Sequence, residues 1–195
     1  MTKVIGLTGG IGSGKTIVCN VFKHLGIPIY EADIESKRLI NSSIKIKKEL
    51  ISLYGNFIYL NNGKINKKKL SKIIFNNRIE LEKVNNIIHP VVLNDFREWL
   101  VKHKKSKYVI HETAILFESG AFKMTDTTIL IYSPEKLRIR RVIKRDNISK
   151  NDVFIRIKNQ MNDDEKKKLA DYIIINDDTE FVLPQILKLH KIFNK

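Results

Sequence analysis

VIGLTGGIGSGKT, residues 4–16, combines a short apolar run with five glycines and one lysine near its end. Gly9, four intervening residues and the triplet Gly14-Lys15-Thr16 fit the pattern G-x-x-x-x-G-K-[ST]. Because glycines carry no side chain, such a loop can turn its backbone N–H groups inward toward an anion, and the helix that follows adds partial positive charge. The stretch therefore predicts a loop that wraps the phosphates of a nucleoside triphosphate.

The side chains at the end of this loop have separate predicted roles. We expect the ammonium group of Lys15 to reach the β and γ phosphates, and the hydroxyl group of Thr16 to bind Mg²⁺. The alternative is a glycine-rich turn with a chance lysine, but the apolar run before the loop and the amphipathic pattern after it favour the nucleotide site. The candidate nucleotide-binding residues of the loop are Gly10, Ile11, Gly12, Ser13, Gly14, Lys15, Thr16 and Ile17.

Apolar runs rich in β-branched residues predict the strands of the fold. They lie at residues 4–8, 27–31, 108–112, 128–132 and 172–176. Their apolar character is continuous rather than alternating, which is typical of parallel strands covered by helices on both faces. Helical patterns separate these runs. We therefore predict an α/β fold, a three-layer α/β/α P-loop NTPase domain with a five-stranded parallel sheet.

Several helix ends can be predicted from local signals. Ser133 is expected to cap the helix of SPEKLRIRRVIKRD, with Pro134 at its first helical position. Ser149 and Asp152 have the spacing of a capping box. The helix after the phosphate loop is expected to bury one apolar stripe, formed by Ile17, Val18, Val21, Phe22 and Leu25.

The chain is interpreted as one domain with two additions to its core. The core is predicted at residues 1–33, 107–135 and 170–195. A helical insert occupies about 34–106, with breaks near 54–63 and at Pro90. The arginine-rich region at about 136–169 is predicted to form a lid.

The formal net charge of +15 has two interpretations. It could indicate a nucleic-acid-binding protein, because lysine and arginine gain affinity by displacing phosphate counterions. The positive residues are dispersed, however, and no series of aromatic residues for stacking bases accompanies them. We interpret the lysines as solvent-facing, expect no nucleic-acid partner, and note that the charge favours an anionic small-molecule substrate.

The sequence also indicates the cellular compartment in which the protein is expected. No run of about 18 uncharged apolar residues is present, so no membrane association is expected. The opening MTKVIGL lacks the layout of a secretion signal, and Cys19 is the single cysteine, which excludes an internal disulfide. These features predict a cytoplasmic protein; the sequence leaves the oligomeric state open.

Asp33 is the candidate general base. It comes just after the second predicted strand, and the carboxyl ends of strands line the ligand crevice of such a sheet. A carboxylate at that place can accept the proton of a substrate hydroxyl during phosphoryl transfer. Asp33 could instead be the N-cap of the following helix, and the residues alone leave both roles open.

Arginines of the segment RIRRVIKRD are candidates for neutralising transferred phosphate. Arg138, Arg141 and Arg145 are three and four residues apart, so they share one face of a helix. For Arg138 and Arg140 we favour the simpler interpretation, a solvated basic helix. Arg156 could add a further donor.

Other polar residues near strand ends have less specific patterns. Glu112 ends a buried strand, where it could bind a water of the Mg²⁺ shell. His111 and Cys19 are interpreted as buried core residues.

Taken in order, these motifs resemble those of the dephospho-coenzyme A kinase family. GLTGGIGSGKT is similar to its phosphate loop, EAD at 31–33 to its D-A-D, HP at 89–90 to its His-Pro, and AILFESG to its P-L-L-F-E segment. RRVIKRD, RIKNQM and LADYIIIND resemble its later motifs, so the resemblance covers nearly the whole chain.

The resemblance implies an activity and roles for particular residues. It implies ATP-dependent phosphorylation of the ribose 3′-hydroxyl of dephospho-CoA, with ATP and Mg²⁺ bound at Lys15 and Thr16. It implies that Asp33 is the base, that Arg141 and Arg145 belong to the lid, and that Asn176 lies near the adenine. Dephospho-CoA would be the small-molecule partner.

Departures from the family pattern leave the rate open. Glu31 replaces the first aspartate of D-A-D, Ala114 replaces a proline, and Ile17 stands where many members have a second hydroxyl residue. Two other classes remain as alternatives: a small P-loop kinase for another metabolite, and an NTPase that binds nucleic acid.

Overall fold

The computed structural model describes residues 2–74 and 77–195. Within that range the chain forms two compact units. The first contains the described residues up to Glu31 together with Leu100–Lys195, and the second contains Ala32–Trp99.

The first unit is built on a five-stranded parallel sheet, which confirms the predicted α/β class. Its strands are β1 Lys3–Thr8, β2 Ile29–Glu31, β3 Tyr108–Glu112, β4 Thr127–Tyr132 and β5 Tyr172–Ile175. Their order is β2-β3-β1-β4-β5, and their ends differ from the predicted ones by no more than two residues. Because β1 is central and all strands are parallel, the loop after β1 lies at the middle of the carboxyl edge.

Helices of the first unit are α1 Lys15–His24, α6 Glu135–Asp146, α7 Lys150–Lys158, α8 Asp163–Leu169 and α9 Val182–Phe193. Residues of α1 and α9, among them Val18, Phe22 and Ile186, share one buried cluster with the strands. The predicted stripe of α1 is correct except for Ile17, which is 59% exposed. Successive residues of a helix are rotated by about 100°, so Ile17 lies at the edge of the buried stripe that is centred on Val18 and Phe22.

The start of α6 differs from the prediction. The helix begins at Glu135 with Pro134 as its N-cap residue, and no side chain caps it. Ser133 is buried instead, and its hydroxyl accepts a hydrogen bond from Nη1 of Arg141 at 3.1 Å. The Ser133 hydroxyl oxygen, predicted to cap the start of α6, is therefore bound by Arg141, two turns further along the same helix. The capping box of Ser149 and Asp152 is confirmed at the start of α7.

The second unit is helical, with α2 Ala32–Ser42, α3 Ile44–Tyr54, α4 Lys67–Ile74 and the greater part of α5 Arg78–Lys102. A 3₁₀ turn and a bridge between Tyr59 and Ile65 interrupt the helices where the break near 54–63 was predicted. Its buried cluster contains Leu39, Ile46, Leu50, Ile58, Val84, Ile87 and Ile88.

The predicted helix break at Pro90 is wrong. Helix α5 runs without interruption for 25 residues, with Pro90 inside it. A proline inside a helix removes one backbone hydrogen bond and costs about 3 kcal/mol. Ile87 and Ile88 before it and Phe96 after it are buried, and this packing on both sides offsets the local cost.

The two residues interpreted as core, Cys19 and His111, are both buried. Burial raises the pKa of the Cys19 thiol to about 12, which leaves it protonated and unreactive at neutral pH. Burial lowers the pKa of His111 from 6.5 to about 4. The imidazole is therefore neutral in the folded protein throughout the physiological range.

The low pKa of His111 predicts a pH-dependent stability. Between about pH 6.5 and 4 the unfolded chain binds a proton at this histidine and the folded chain does not. The free energy of unfolding should therefore be complete above pH 6.5 and fall as the pH drops toward 4, by up to about 3 kcal/mol from this group. Chemical denaturation of His111→Phe at several pH values should show a shallower fall.

The exposed His24, replaced by Asn, is the matched control and should keep the slope of the parent protein. An equal slope in the parent protein and in His111→Phe would contradict this prediction.

Candidate nucleotide-binding site

The predicted phosphate loop joins β1 to α1 and has the backbone that its glycines allow. Gly12 and Gly14 have φ values of 80° and 97°, in the left-handed region that L-residues with side chains rarely adopt. A Cβ atom on Gly14 would lie 2.1 Å from Nδ2 of Asn176, and one on Gly12 would lie 2.6 Å from the carbonyl oxygen of Arg138. Conformation and close packing both require glycine at these positions.

Lys15 is the first residue of α1, and its ammonium group turns back over the loop. Nζ donates a hydrogen bond to the carbonyl of Gly9 at 3.0 Å and lies 3.9 Å from the Glu112 carboxylate. Register explains the second contact, because Leu7 of β1 pairs with Glu112 at the end of β3. A cation and a carboxylate thus share the carboxyl edge of the sheet with the loop.

The residues present are compatible with Mg²⁺ bound together with a nucleotide. Across residues 2–74 and 77–195 no group of three or more His, Cys, Asp or Glu forms a metal cage. Mg²⁺ is commonly held by only one or two protein oxygens together with substrate phosphates. Thr16, exposed in the first turn of α1, and Glu112 supply oxygens of this type beside the loop.

Asn176 and Arg141 lie together behind the loop. Nδ2 of Asn176 donates to the carbonyl of Ser13 at 2.7 Å, a buried hydrogen bond across 163 residues of sequence. Arg141 donates to the backbone carbonyl of Asn176 at 3.2 Å and forms an ion pair with Asp178. The structure thus brings two of the predicted residues into one network, and for Asn176 it shows a contact with the loop backbone that the sequence did not suggest.

The interpretation of Arg138 as a solvated residue is wrong. Its side chain is buried, and its guanidinium contacts Asp163 at the start of α8 and the carbonyl of Ile11 in the phosphate loop. For Arg140 the same interpretation is confirmed, because its side chain is 77% exposed. Both arginines belong to the same basic run, and no local signal distinguishes the position that faces the loop.

Arg145 makes a different kind of contact from Arg141. Its Nε donates to Asp146 at 2.7 Å, and Arg156 of α7 donates to the same carboxylate at 2.8 Å. The hydrogen bond from Arg145 is the main cause that lowers the pKa of the Asp146 carboxyl below its ordinary value. The ion pair between Arg156 and Asp146 connects α7 with α6. Arg138 and Arg141, which were predicted to share a helix face with Arg145, have other partners.

Lys166 is a structural residue that the sequence analysis missed. It belongs to the lysine-rich run DDEKKKL, which we interpreted as solvent-facing, yet its side chain is 0% exposed. Nζ donates to the carbonyl of Ala114 at 3.0 Å and pairs with Glu118 at 2.9 Å. Glu118 also accepts the N–H of Met161 at 2.8 Å, so it ties the segment before α8 to the segment after β3.

Lys166→Met is expected to lower the free energy of unfolding. Removing one partner of a buried ion pair costs about 3–5 kcal/mol, and we expect the lower end because Glu118 keeps partial access to solvent. Urea denaturation measures this loss, and Lys168→Met on the exposed side of the same helix is the control. Equal stability of both variants would show that the pair contributes nothing.

Asp33 is not the N-cap of its helix. Helix α2 begins at Ala32, so Asp33 lies inside the first turn, where a carboxylate interacts favourably with the helix dipole. Its side chain is exposed. It follows the carboxyl end of β2 by two residues and belongs to the second unit.

The chain is similar in sequence to dephospho-CoA kinases. A family model described as dephospho-CoA kinase matches residues 3–181. A dephospho-CoA kinase from Bacteroides fragilis is 41% identical over 186 residues, which cover 95% of this chain and 90% of the relative. One from Fusobacterium nucleatum is 40% identical over 173 residues and covers 89% of both chains.

Solved structures agree with the sequence comparison. A crystal structure from Thermus thermophilus has a TM-score of 0.83 at 27% identity and covers 98% of this chain and 95% of that chain. A dephospho-CoA kinase from Campylobacter jejuni has a TM-score of 0.72 at 25% identity, with coverage of 100% and 98%. A shikimate kinase from Acinetobacter baumannii, 16% identical with a TM-score of 0.56 and coverage of 98% and 93%, shares the fold alone.

Proposed function

The chain belongs to the dephospho-CoA kinase family, and we propose that it transfers the γ-phosphoryl group of ATP to the ribose 3′-hydroxyl of dephospho-CoA. The products are coenzyme A and ADP, and the reaction is the final step of coenzyme A synthesis. The observation that supports the reaction most directly is the glycine loop at the centre of the sheet, with the Lys15 ammonium group over it.

The transfer is an in-line displacement in which positioning and charge neutralisation supply most of the catalysis. The 3′-oxygen attacks the γ-phosphorus while the bond from that phosphorus to the β–γ bridging oxygen breaks. Asp33 accepts the proton of the 3′-hydroxyl. Lys15 and the loop N–H groups bind the phosphates, and Arg141 and Arg145 neutralise the transferred charge from the lid.

Thr16 would hold Mg²⁺ together with the nucleotide phosphates, and Glu112 would bind through water. The metal supplies charge neutralisation at the β and γ phosphates when bound. Asn176, whose side chain already contacts the loop backbone, is proposed to lie near the adenine.

The remaining parts of the chain have proposed roles as well. The helical insert of about 34–106 would bind the CoA moiety, and the segment of about 136–169 would close over the phosphates and exclude water. The reaction would take place in the cytoplasm, and no nucleic-acid partner is assigned. In the described part of the chain, no helix is long and apolar enough to cross a bilayer.

A coupled assay of ADP release tests the substrate. With ATP and Mg²⁺ present, dephospho-CoA should be phosphorylated, whereas AMP, CMP and shikimate should give little ADP above the rate without acceptor. Faster turnover of any of these three acceptors would overturn the assignment. Addition of RNA or DNA should leave the rate unchanged, and stimulation would instead favour an NTPase that binds nucleic acid.

A further inference from the structure

The tip of the phosphate loop, defined as residues 10–12, is held from outside by two side chains that the proposed chemistry does not use. Nη1 of Arg138 donates to the carbonyl of Ile11 at 3.3 Å. The side-chain oxygen of Gln160 accepts the N–H of Ile11 at 2.9 Å. Both backbone polar groups of Ile11 are therefore bound by side chains more than 120 residues away in sequence.

Arg138 is itself fixed in place. It is 3% exposed, and Nη2 contacts the Asp163 carboxylate at 2.5 Å. Its Nε has no hydrogen-bond partner among the described residues, so this burial carries a desolvation cost. The guanidinium group of Arg138 is thus paired with Asp163 on one side and donates to the backbone of the phosphate loop on the other.

The loop tip also fits closely against this arginine. A Cβ atom on Gly10 would lie 2.2 Å from Nη1 of Arg138, and the Ile11 side chain packs on the cluster of Ile139, Val142 and Val153 from α6 and α7. Helix α6, the segment that follows α7 and the start of α8 thus contact the three residues of the loop tip.

We propose that Arg138 and Gln160 are positioning residues that hold the tip of the phosphate loop in the conformation that binds nucleotide phosphate. Glycine residues have many accessible conformations, and a loop of them loses entropy when its N–H groups are aligned on an anion. Contacts that align the loop before binding reduce this cost. The proposal rests on the proposed function, because it assumes that this loop binds ATP.

The test compares ATP affinity in Gln160→Met and Arg138→Met with the parent protein by calorimetry in Mg²⁺. Gln160→Met should bind ATP about tenfold more weakly, which corresponds to about 1.4 kcal/mol. Arg138→Met should bind about 10²-fold more weakly, because a hydrogen bond from a charged group is roughly twice as strong as one from a neutral group. In steady-state kinetics KM for ATP should rise, while KM for dephospho-CoA stays constant.

Arg140→Met is the matched control, because it removes the same charge from the same helix at an exposed position. It should bind ATP like the parent protein, and an equal loss there would show that net charge and not positioning is responsible. A merely structural role would lower the thermal midpoint and leave KM for ATP unchanged, which would overturn the proposal.

Because Gln160 is only half-buried, Gln160→Met is expected to fold even if Arg138→Met does not. If Arg138→Met does not fold, unchanged ATP affinity in Gln160→Met overturns the proposal and a loss supports it. Failure of the proposed function is distinguishable, because it appears in the parent protein. A parent protein that binds no ATP contradicts the nucleotide site, and one that binds ATP but does not phosphorylate dephospho-CoA contradicts the substrate and leaves the affinity comparison intact.

Discussion

Lys15→Ala is expected to reduce kcat by about 10²–10³-fold, the loss measured when one preorganised donor to developing charge is removed. The ammonium group lies over the loop, within hydrogen-bonding distance of the Gly9 carbonyl, and would meet the β and γ phosphates of ATP there. No other side chain of the loop carries a positive charge that could replace it. Initial rates with ATP and dephospho-CoA measure the effect.

Lys23→Ala is the control for this variant. Lys23 lies on the same helix, two turns further on, and pairs with Glu31. It should keep most of the activity, and thermal unfolding should show that both variants are folded. Undiminished phosphoryl transfer in Lys15→Ala would contradict the assignment of residues 9–16 as the nucleotide site.

Asp33→Asn is expected to lose about 10²–10⁴-fold in kcat, the usual contribution of a general base. The amide has nearly the same shape but cannot accept the proton of the 3′-hydroxyl. Affinity for ATP, measured by calorimetry, should stay close to that of the parent protein, because the proposed phosphate contacts come from the loop and not from Asp33.

Glu35→Gln is the matched control, since Glu35 lies in the same first turn of α2 and pairs with Arg38. It removes a carboxylate from the same helix end and should have a small effect on kcat. If Asp33→Asn has the kcat of the parent protein, the general base is another group. If kcat of Glu35→Gln falls as much as that of Asp33→Asn, the effect comes from the negative charge at the start of the helix.

Much of the core could be predicted because its signals are local. A glycine pattern that needs positive φ, followed by Lys15 and Thr16, specifies a phosphate loop wherever a strand precedes it and a helix follows. Continuous β-branched runs specify buried parallel strands, and the structure has all five near the predicted positions. These properties depend on neighbours within a few residues.

Contacts between distant segments could not be predicted in the same way. Arg138 and Lys166 carry the same charges as exposed residues beside them, and their partners lie at Asp163 and Ala114, 25 and 52 residues away. Two local signals were overridden by packing. Ser133 binds Arg141 and does not cap its helix, and α5 continues through Pro90 because residues on both sides of it are buried. Periodicity describes which residues share a face and does not tell whether that face meets solvent.

The amino-acid sequence by itself determined the phosphate loop, the class of fold and the kind of chemistry at the end of β1, since each follows from backbone freedom and short-range patterning. Only the tertiary structure decided which charges are buried and what holds the loop in place. The physical reason is that desolvation and hydrogen bonding of a charge depend on segments brought together by folding, and these segments are far apart along the chain.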